Sequence, residues 1–216
     1  MKIKYLAHAS FLVTSDSGTR IITDPYTTSP RFEYGDIKEH ADVVTVSHGH
    51  GDHNNVAAVQ GSPRVLDKPG KTRVKGIEFN GVETYHDDTK GKARGNNVVF
   101  CFEVDGVKIC HLGDLGHKLD DKQIVEVGKV DVLLIPVGGF FTIDPKTAGD
   151  VSRQIGAKLI IPMHYLTGKI KLPIGGVDEF LKDKKNAVRQ DTSEIEIRAN
   201  ALPATQQVVV LKQALG

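Results

Sequence analysis

The segment Ser47-His48-Gly49-His50-Gly51-Asp52-His53-Asn54-Asn55 constrains this chain more than any other, because it sets three imidazoles and a carboxylate within six residues. It follows Asp42-Val43-Val44-Thr45-Val46, a β-branched run that predicts a strand, so the histidines fall in the loop at that strand's carboxyl end. A rigid sheet usually presents its site residues on such loops. Gly49 and Gly51 let the backbone fold tightly enough for His48 and His50 to point one way, with Asp52 and His53 turned another. Four ligand-type side chains exceed what one zinc ion usually takes from so short a segment, which points to two adjacent metal ions sharing a loop. The plainer alternative is a polar turn, but neutral imidazoles have no turn-forming advantage over Asn, Asp or Ser.

The chain has 216 residues, enough for one sizeable domain and too few for two catalytic ones. A single domain over residues 1–216 is expected. A formal net charge of +1 leaves no basic surplus with which to track a nucleic-acid backbone, so nucleic acid is not the expected partner. No apolar run approaches the roughly 20 residues of a membrane span, and the start Met1-Lys2-Ile3-Lys4-Tyr5 lacks a signal-peptide apolar region. A cytoplasmic location is therefore expected. Only Cys101 and Cys110 are present. With Asp105-Gly106 as a two-residue hairpin turn they would lie opposite one another, and in a reducing compartment two buried free thiols are expected.

Short strands are predicted at Lys2 to Leu6, Phe11 to Thr14 and Arg20 to Thr23, ending at Asp24-Pro25. Asn55 to Gln60 reads as a short helix, followed by strands at Arg73 to Val74, Ile77 to Phe79 and Val82 to Tyr85, with breaks at Gly76 and Gly81. Val98 to Val104 and Val107 to Leu112 form the clearest hairpin, with Phe100, Phe102, Val104, Val107 and Ile109 alternating onto one face. Helices are predicted at Asp121 to Val127 with Gly128 as stop, from the Asp144-Pro145 cap to Ile155 with Gly156 as stop, and at Val177 to Lys184. Buried strands at Asp131 to Ile135 and Lys158 to Ile161 separate them, and Glu194 to Arg198 and Gln207 to Leu211 close the chain. Two batches of strands, each with helices, suggest two sheets stacked face to face with helices outside.

Two metals need about three further ligands at the ends of other strands. His86, Asp114 and His164 each follow a predicted strand. At this point the chain resembles the metallo-β-lactamase-fold hydrolase superfamily: H-x-H-x-D-H at His48, His50, Asp52 and His53, then His86, then Gly113-Asp114, then His164 in Ile161-Pro162-Met163-His164-Tyr165. Within it the chain looks most like the compact branch similar to ascorbate-6-phosphate lactonases and N-acylphosphatidylethanolamine phospholipase D. The marks of that branch are His8-Ala9-Ser10, Gly138-Gly139-Phe140-Phe141-Thr142 and the closing Pro-Met-His-Tyr. The resemblance implies an α/β fold, a four-layer αββα sandwich. It also implies one metal held by His48, His50 and His86, a second held by Asp52, His53 and His164, and Asp114 bridging them.

Two Zn2+ are the expected cofactors, with Mn2+ or Fe2+ as substitutes. A hydroxide shared between them would be the nucleophile, since metal binding lowers the pKa of water to about 7. The centre would keep a formal charge of about +1 and attract an anionic transition state. A small-molecule anionic ester, lactone or phosphodiester is the expected substrate, with Asp52, Asp114 and His8 as the catalytic candidates. His8 is expected to line the pocket or to be structural. Asp24 is expected either to buttress a ligand histidine or to cap a strand, Phe140 and Phe141 to wall the pocket or pack the core, and Lys90, Lys92 and Arg94 to form a solvated, mobile loop over Asp87 to Asn97 or, as the lesser alternative, to close over an anion. His40, His111 and His117 read as strand-edge or surface residues. Three other readings compete: a di-iron redox protein, a nuclease of the same fold, for which the chain lacks basic charge and a clamping domain, and a non-catalytic metal-bound scaffold. The redox proteins of the same fold typically carry a carboxylate where this chain has His50, and an all-nitrogen first position favours zinc. Homo-oligomerisation stays open.

Overall fold

The computed structural model describes residues Met1–Gly216. The chain opens with β1 (Lys2–Ala7), β2 (Ser10–Thr14), β3 (Arg20–Thr23), β4 (Val43–Thr45) and β5 (Arg64–Leu66). An antiparallel run follows: β6 (Gly70–Val74), β7 (Ile77–Tyr85), β8 (Asn96–Val104) and β9 (Val107–His111). Helices and strands then alternate as α1 (Asp121–Val127), β10 (Val132–Pro136), α2 (Pro145–Ile155), β11 (Leu159–Met163) and α3 (Asp178–Leu181). The end is β12 (Ala187–Arg189), β13 (Glu194–Glu196) and β14 (Gln207–Val210). One six-stranded sheet has the order β13-β1-β2-β3-β4-β5, and one eight-stranded sheet the order β12-β14-β11-β10-β9-β8-β7-β6.

Side-chain alternation explains the layers. Residues of period two on a strand face opposite sides, and in the first sheet Ile3, Tyr5, Phe11, Val13, Ile21 and Val43 join the large core shared with the second sheet. Their neighbours Leu6, Leu12, Ile22 and Val44 join a separate outer cluster with Tyr26, Tyr34, Ile37, Val59, Ile170 and Ile174. That outer layer is irregular chain with one 3-10 turn, Val56–Ala58. On the far side α1 packs on β7, α2 on β10, and α3 on α2, so the layers follow the expected sandwich with its helices gathered on the second sheet.

Both longer helices start and stop where their caps dictate. Asp120 accepts from Gln123 N in a capping box before α1. Asp144 accepts from Thr147 N before α2, and Gly156 ends it in the left-handed region. Three expectations are corrected. The helix at Asn55 to Gln60 is a single 3-10 turn, since Asn55 makes no side-chain cap. The helix at Val177 to Lys184 is reduced to Asp178–Leu181, and it too lacks a side-chain cap. Gly81 does not break a strand: β7 runs through it, and the missing side chain admits Lys68 O, which a Cβ would meet at 2.7 Å. Cys101 and Cys110 are partners across β8 and β9, both free thiols, with Cys110 buried and Cys101 half-buried. No helix is long and apolar enough to cross a membrane.

Candidate metal centre

Strand direction gathers the site. β3 and β4 are parallel, β9, β10 and β11 are parallel, and β7 runs with β9 through the antiparallel β8. The segments leaving these strands carry Asp24, the His48–His53 loop, His86, Asp114 and His164, and they all meet at one edge between the two sheets. His8 arrives there from the end of β1.

Asp24 organises the first sheet's half. Its carboxylate accepts from Ser47 N at 2.7 Å, Ser47 Oγ at 2.6 Å and His53 Nδ1 at 2.8 Å. A proton held on His53 Nδ1 leaves Nε2 bare, and that atom is buried with no hydrogen-bond partner. His48 is oriented similarly, with Nδ1 2.9 Å from Ser47 Oγ. Asp24 thus takes the buttressing role, at a backbone φ of 37° that only a well-braced residue holds.

Asp114 organises the second half. Its N donates to Asn97 Oδ1 at 2.9 Å, and the Asn97 amide donates to Thr84 Oγ1 and Leu112 O. Buried Asn97 thereby ties β7, β8 and the end of β9 around the carboxylate. Gly113 must be glycine, since a Cβ would lie 2.4 Å from Asn97 Oδ1 and from Ser47 Cβ. Asp114 Oδ2 then faces the Nε2 atoms of His53 and His86 at 3.3 Å, His164 at 3.4 Å and His48 at 3.8 Å.

One carboxylate oxygen cannot satisfy four imidazoles, and Asp114 Oδ1, His86 Nδ1 and His164 Nδ1 are also buried without partners. Metal ions fit this set. A tetrahedron with bonds of about 2.0–2.1 Å has edges of about 3.3–3.4 Å, the spacing found between these donor atoms. The donors of His48, His50 and His86 lie within 4.8 Å of one another, as do those of His8, Asp52, His53 and His164. The nitrogen and oxygen donors suit zinc or another divalent transition metal.

Burial pushes His48 down to about 3, and it also lowers His86. Neutral imidazoles are the ligating form. Burial opposes charge on Asp114, but the surrounding imidazoles, His164 and His53 foremost, hold it well below the usual carboxylate range. Burial likewise opposes charge on His53, yet Asp114, Asp24 and Asp52 outweigh it and raise the imidazole.

A family profile described as "Beta-lactamase superfamily domain" matches residues 2–164. The chain belongs to the beta-lactamase superfamily of metal-dependent hydrolases. A UPF0173 metal-dependent hydrolase of Carboxydothermus hydrogenoformans is 33% identical over 194 residues, covering 77% of this chain and 85% of its own. One from Methanoculleus marisnigri is 30% identical over 240 residues and covers 100% of both chains. A crystal structure from Thermotoga maritima, described as a Zn-dependent hydrolase of the metallo-beta-lactamase superfamily, is 42% identical with a TM-score of 0.82 over 97% of each chain.

In this hydrolase a cavity of about 560 Å³ opens onto the metal-ligand cluster. His50, Asp52, His86, Asp114 and His164 form its floor, Phe32, Phe141 and Leu172 an apolar wall, and Arg31 and Arg94 a cationic rim. Arg94 is not merely a solvated loop residue. Its guanidinium donates to Phe140 O at 3.1 Å and lies 5.6 Å from the Phe141 ring centroid. Phe141 walls the cavity, while Phe140 is 62% exposed and does not line it. Lys90 and Lys92 stay outside. His8, expected to line the pocket or to be structural, is wholly enclosed and absent from the cavity wall.

Three residues escaped the sequence reading. Asn97 carries no local signal, because its partners Thr84, Leu112 and Asp114 are brought near only by the folded chain, and Asp87 was passed over although its partners Thr89 to Arg94 are close in sequence. His111 is corrected from a strand-edge or surface role. It is fully buried, donating from Nε2 to Ala9 O at 2.8 Å and accepting at Nδ1 from Gly113 N at 3.2 Å. It continues the inward alternation of Val107 and Ile109, which could have revealed it.

Proposed function

We propose that this metal-dependent hydrolase binds two zinc ions and cleaves a small anionic ester, lactone or phosphodiester. The observation that carries the reading is the meeting of two donor sets, one of three imidazoles and one containing Asp52, on either side of Asp114. Two bound zinc ions would supply Lewis acidity and a water acidified to near neutral pH. His48, His50 and His86 would hold one, Asp52, His53 and His164 the other, with Asp114 shared. Asp52 and Asp114 also line the cavity, where they would face the reacting atoms of a bound substrate. Arg31 and Arg94 favour an anionic substrate group by charge and by the forked geometry of guanidinium. Phe32, Phe141 and Leu172 exclude water from its apolar part. The unbridged Cys101 and Cys110 accord with a cytoplasmic location.

The test is elemental analysis of the protein purified without added metal or chelator, together with a screen of phosphodiesters, lactones and thioesters. About two zinc per chain is expected. Asp114→Asn should lose metal and turnover together, and full activity in that variant would sink the two-metal reading.

A further inference from the structure

His8 has no exposed surface, so its imidazole cannot reach a substrate in the cavity. It is also unlike a structural core histidine of this chain. In His111 both ring nitrogens find partners, whereas His8 Nδ1 is buried with none. Its Nε2 lies 3.3 Å from Asp52 Oδ2. That is the pattern of His86 and His164, each with Nε2 3.3–3.4 Å from the Asp114 carboxylate and Nδ1 buried without a partner.

The backbone holds His8 in this place against its conformational preference. At φ 55° it occupies the left-handed region, which a non-glycine residue enters at a cost. Its carbonyl accepts from Tyr5 Oη at 2.8 Å and from His164 N at 2.9 Å. His164 is itself at φ 50°, and the two rings face one another with centroids 4.2 Å apart. Two strained residues from the two sheets are thus locked together with their imidazoles converging on Asp52 and His53.

We propose that His8 is a direct ligand, through Nε2, of the second metal ion, joining Asp52, His53 and His164. The proposal rests on the two-metal reading and makes the two positions unequal. With Asp114 shared, the first metal has four protein donors and the second has five. With a shared hydroxide added, the first would be five-coordinate and the second six-coordinate, so the second position suits an ion that accepts six ligands.

Cobalt(II) titration of the metal-free protein tests this without any substrate, since five-coordinate cobalt(II) absorbs visible light more strongly than six-coordinate cobalt(II). Wild-type protein should take two equivalents, the second absorbing more weakly than the first. In His8→Ala the weaker equivalent should rise toward the intensity of the first and its dissociation constant rise about tenfold or more, with the first unchanged. His8→Gln, which keeps a polar side chain of similar reach, serves if the alanine variant does not fold. Proton NMR of the cobalt-loaded protein gives a second readout. Wild type should show one more shifted, slowly exchanging ring N–H than His8→Gln. Two equivalents with identical spectra and affinities in wild type and variants would overturn the role of His8 alone. A single equivalent in wild type would overturn the two-metal reading and this inference with it.

Discussion

Asp24 shows how much of the site depends on a residue that need not touch metal. Its two oxygens serve three donors, and Asn in its place offers one oxygen and an amide that repels the Ser47 N–H. Asp24→Asn should weaken binding of the metal held by His53 about 10- to 100-fold, read by competition with a chromophoric chelator. Unchanged affinity would reduce Asp24 to a folding role. The residues proposed as ligands were legible as a set because His48, His50, Asp52 and His53 crowd one loop, which then lent meaning to His86, Asp114 and His164. Arg31 and Arg94 were not legible as partners, since 63 positions separate them and only their loops' folded paths bring both to one cavity.

Between β7 and β8 the loop from Asp87 to Gly95 is wound around a single carboxylate. Asp87 accepts from the N–H groups of Thr89, Gly91, Ala93 and Arg94 and from the Thr89 hydroxyl. This fixes the loop that carries Arg94 to the cavity rim, beside the ligand His86. Burial would push the Asp87 carboxyl up, but the hydrogen bonds from Arg94 N, Thr89 and Gly91 outweigh it and hold it well below the usual range. A depressed carboxyl contributes stability above its unfolded value of about 4, and that contribution is lost as pH falls through the folded value. The urea midpoint of the metal-free protein should therefore exceed that of Asp87→Asn at neutral pH, with the gap closing below about pH 4. A gap constant with pH would refute the role assigned to the carboxylate. Composition identified this stretch as a loop of Lys, Arg and Gly. It could not report the loop's compactness, which comes from one acceptor gathering backbone donors. The edge strands β5 and β12 were missed for a related reason: three residues each, partly exposed, they carry too little apolar pattern to stand out.

Across the whole molecule, the proposed metal ligands come from both sheets, so a bound metal would tie the two layers together at one edge. Anything that binds only the folded state stabilises it by mass action, about 2.7 kcal/mol at a free concentration one hundred times the dissociation constant. Stripping the protein with a chelator should lower its melting temperature in calorimetry, and stoichiometric zinc should restore it. A melting temperature indifferent to metal would place the ligands in a scaffold that gains nothing from them. The two-sheet sandwich followed from strands arriving in batches, but strand order did not. The addition of β13 to the edge of β1 joins residues some 190 positions apart, a pairing with no local trace. The spread of the ligands also bears on synthesis. Because the proposed ligands His48 and His164 stand more than a hundred positions apart, an emerging polypeptide could not close the centre until His164 has left the ribosome.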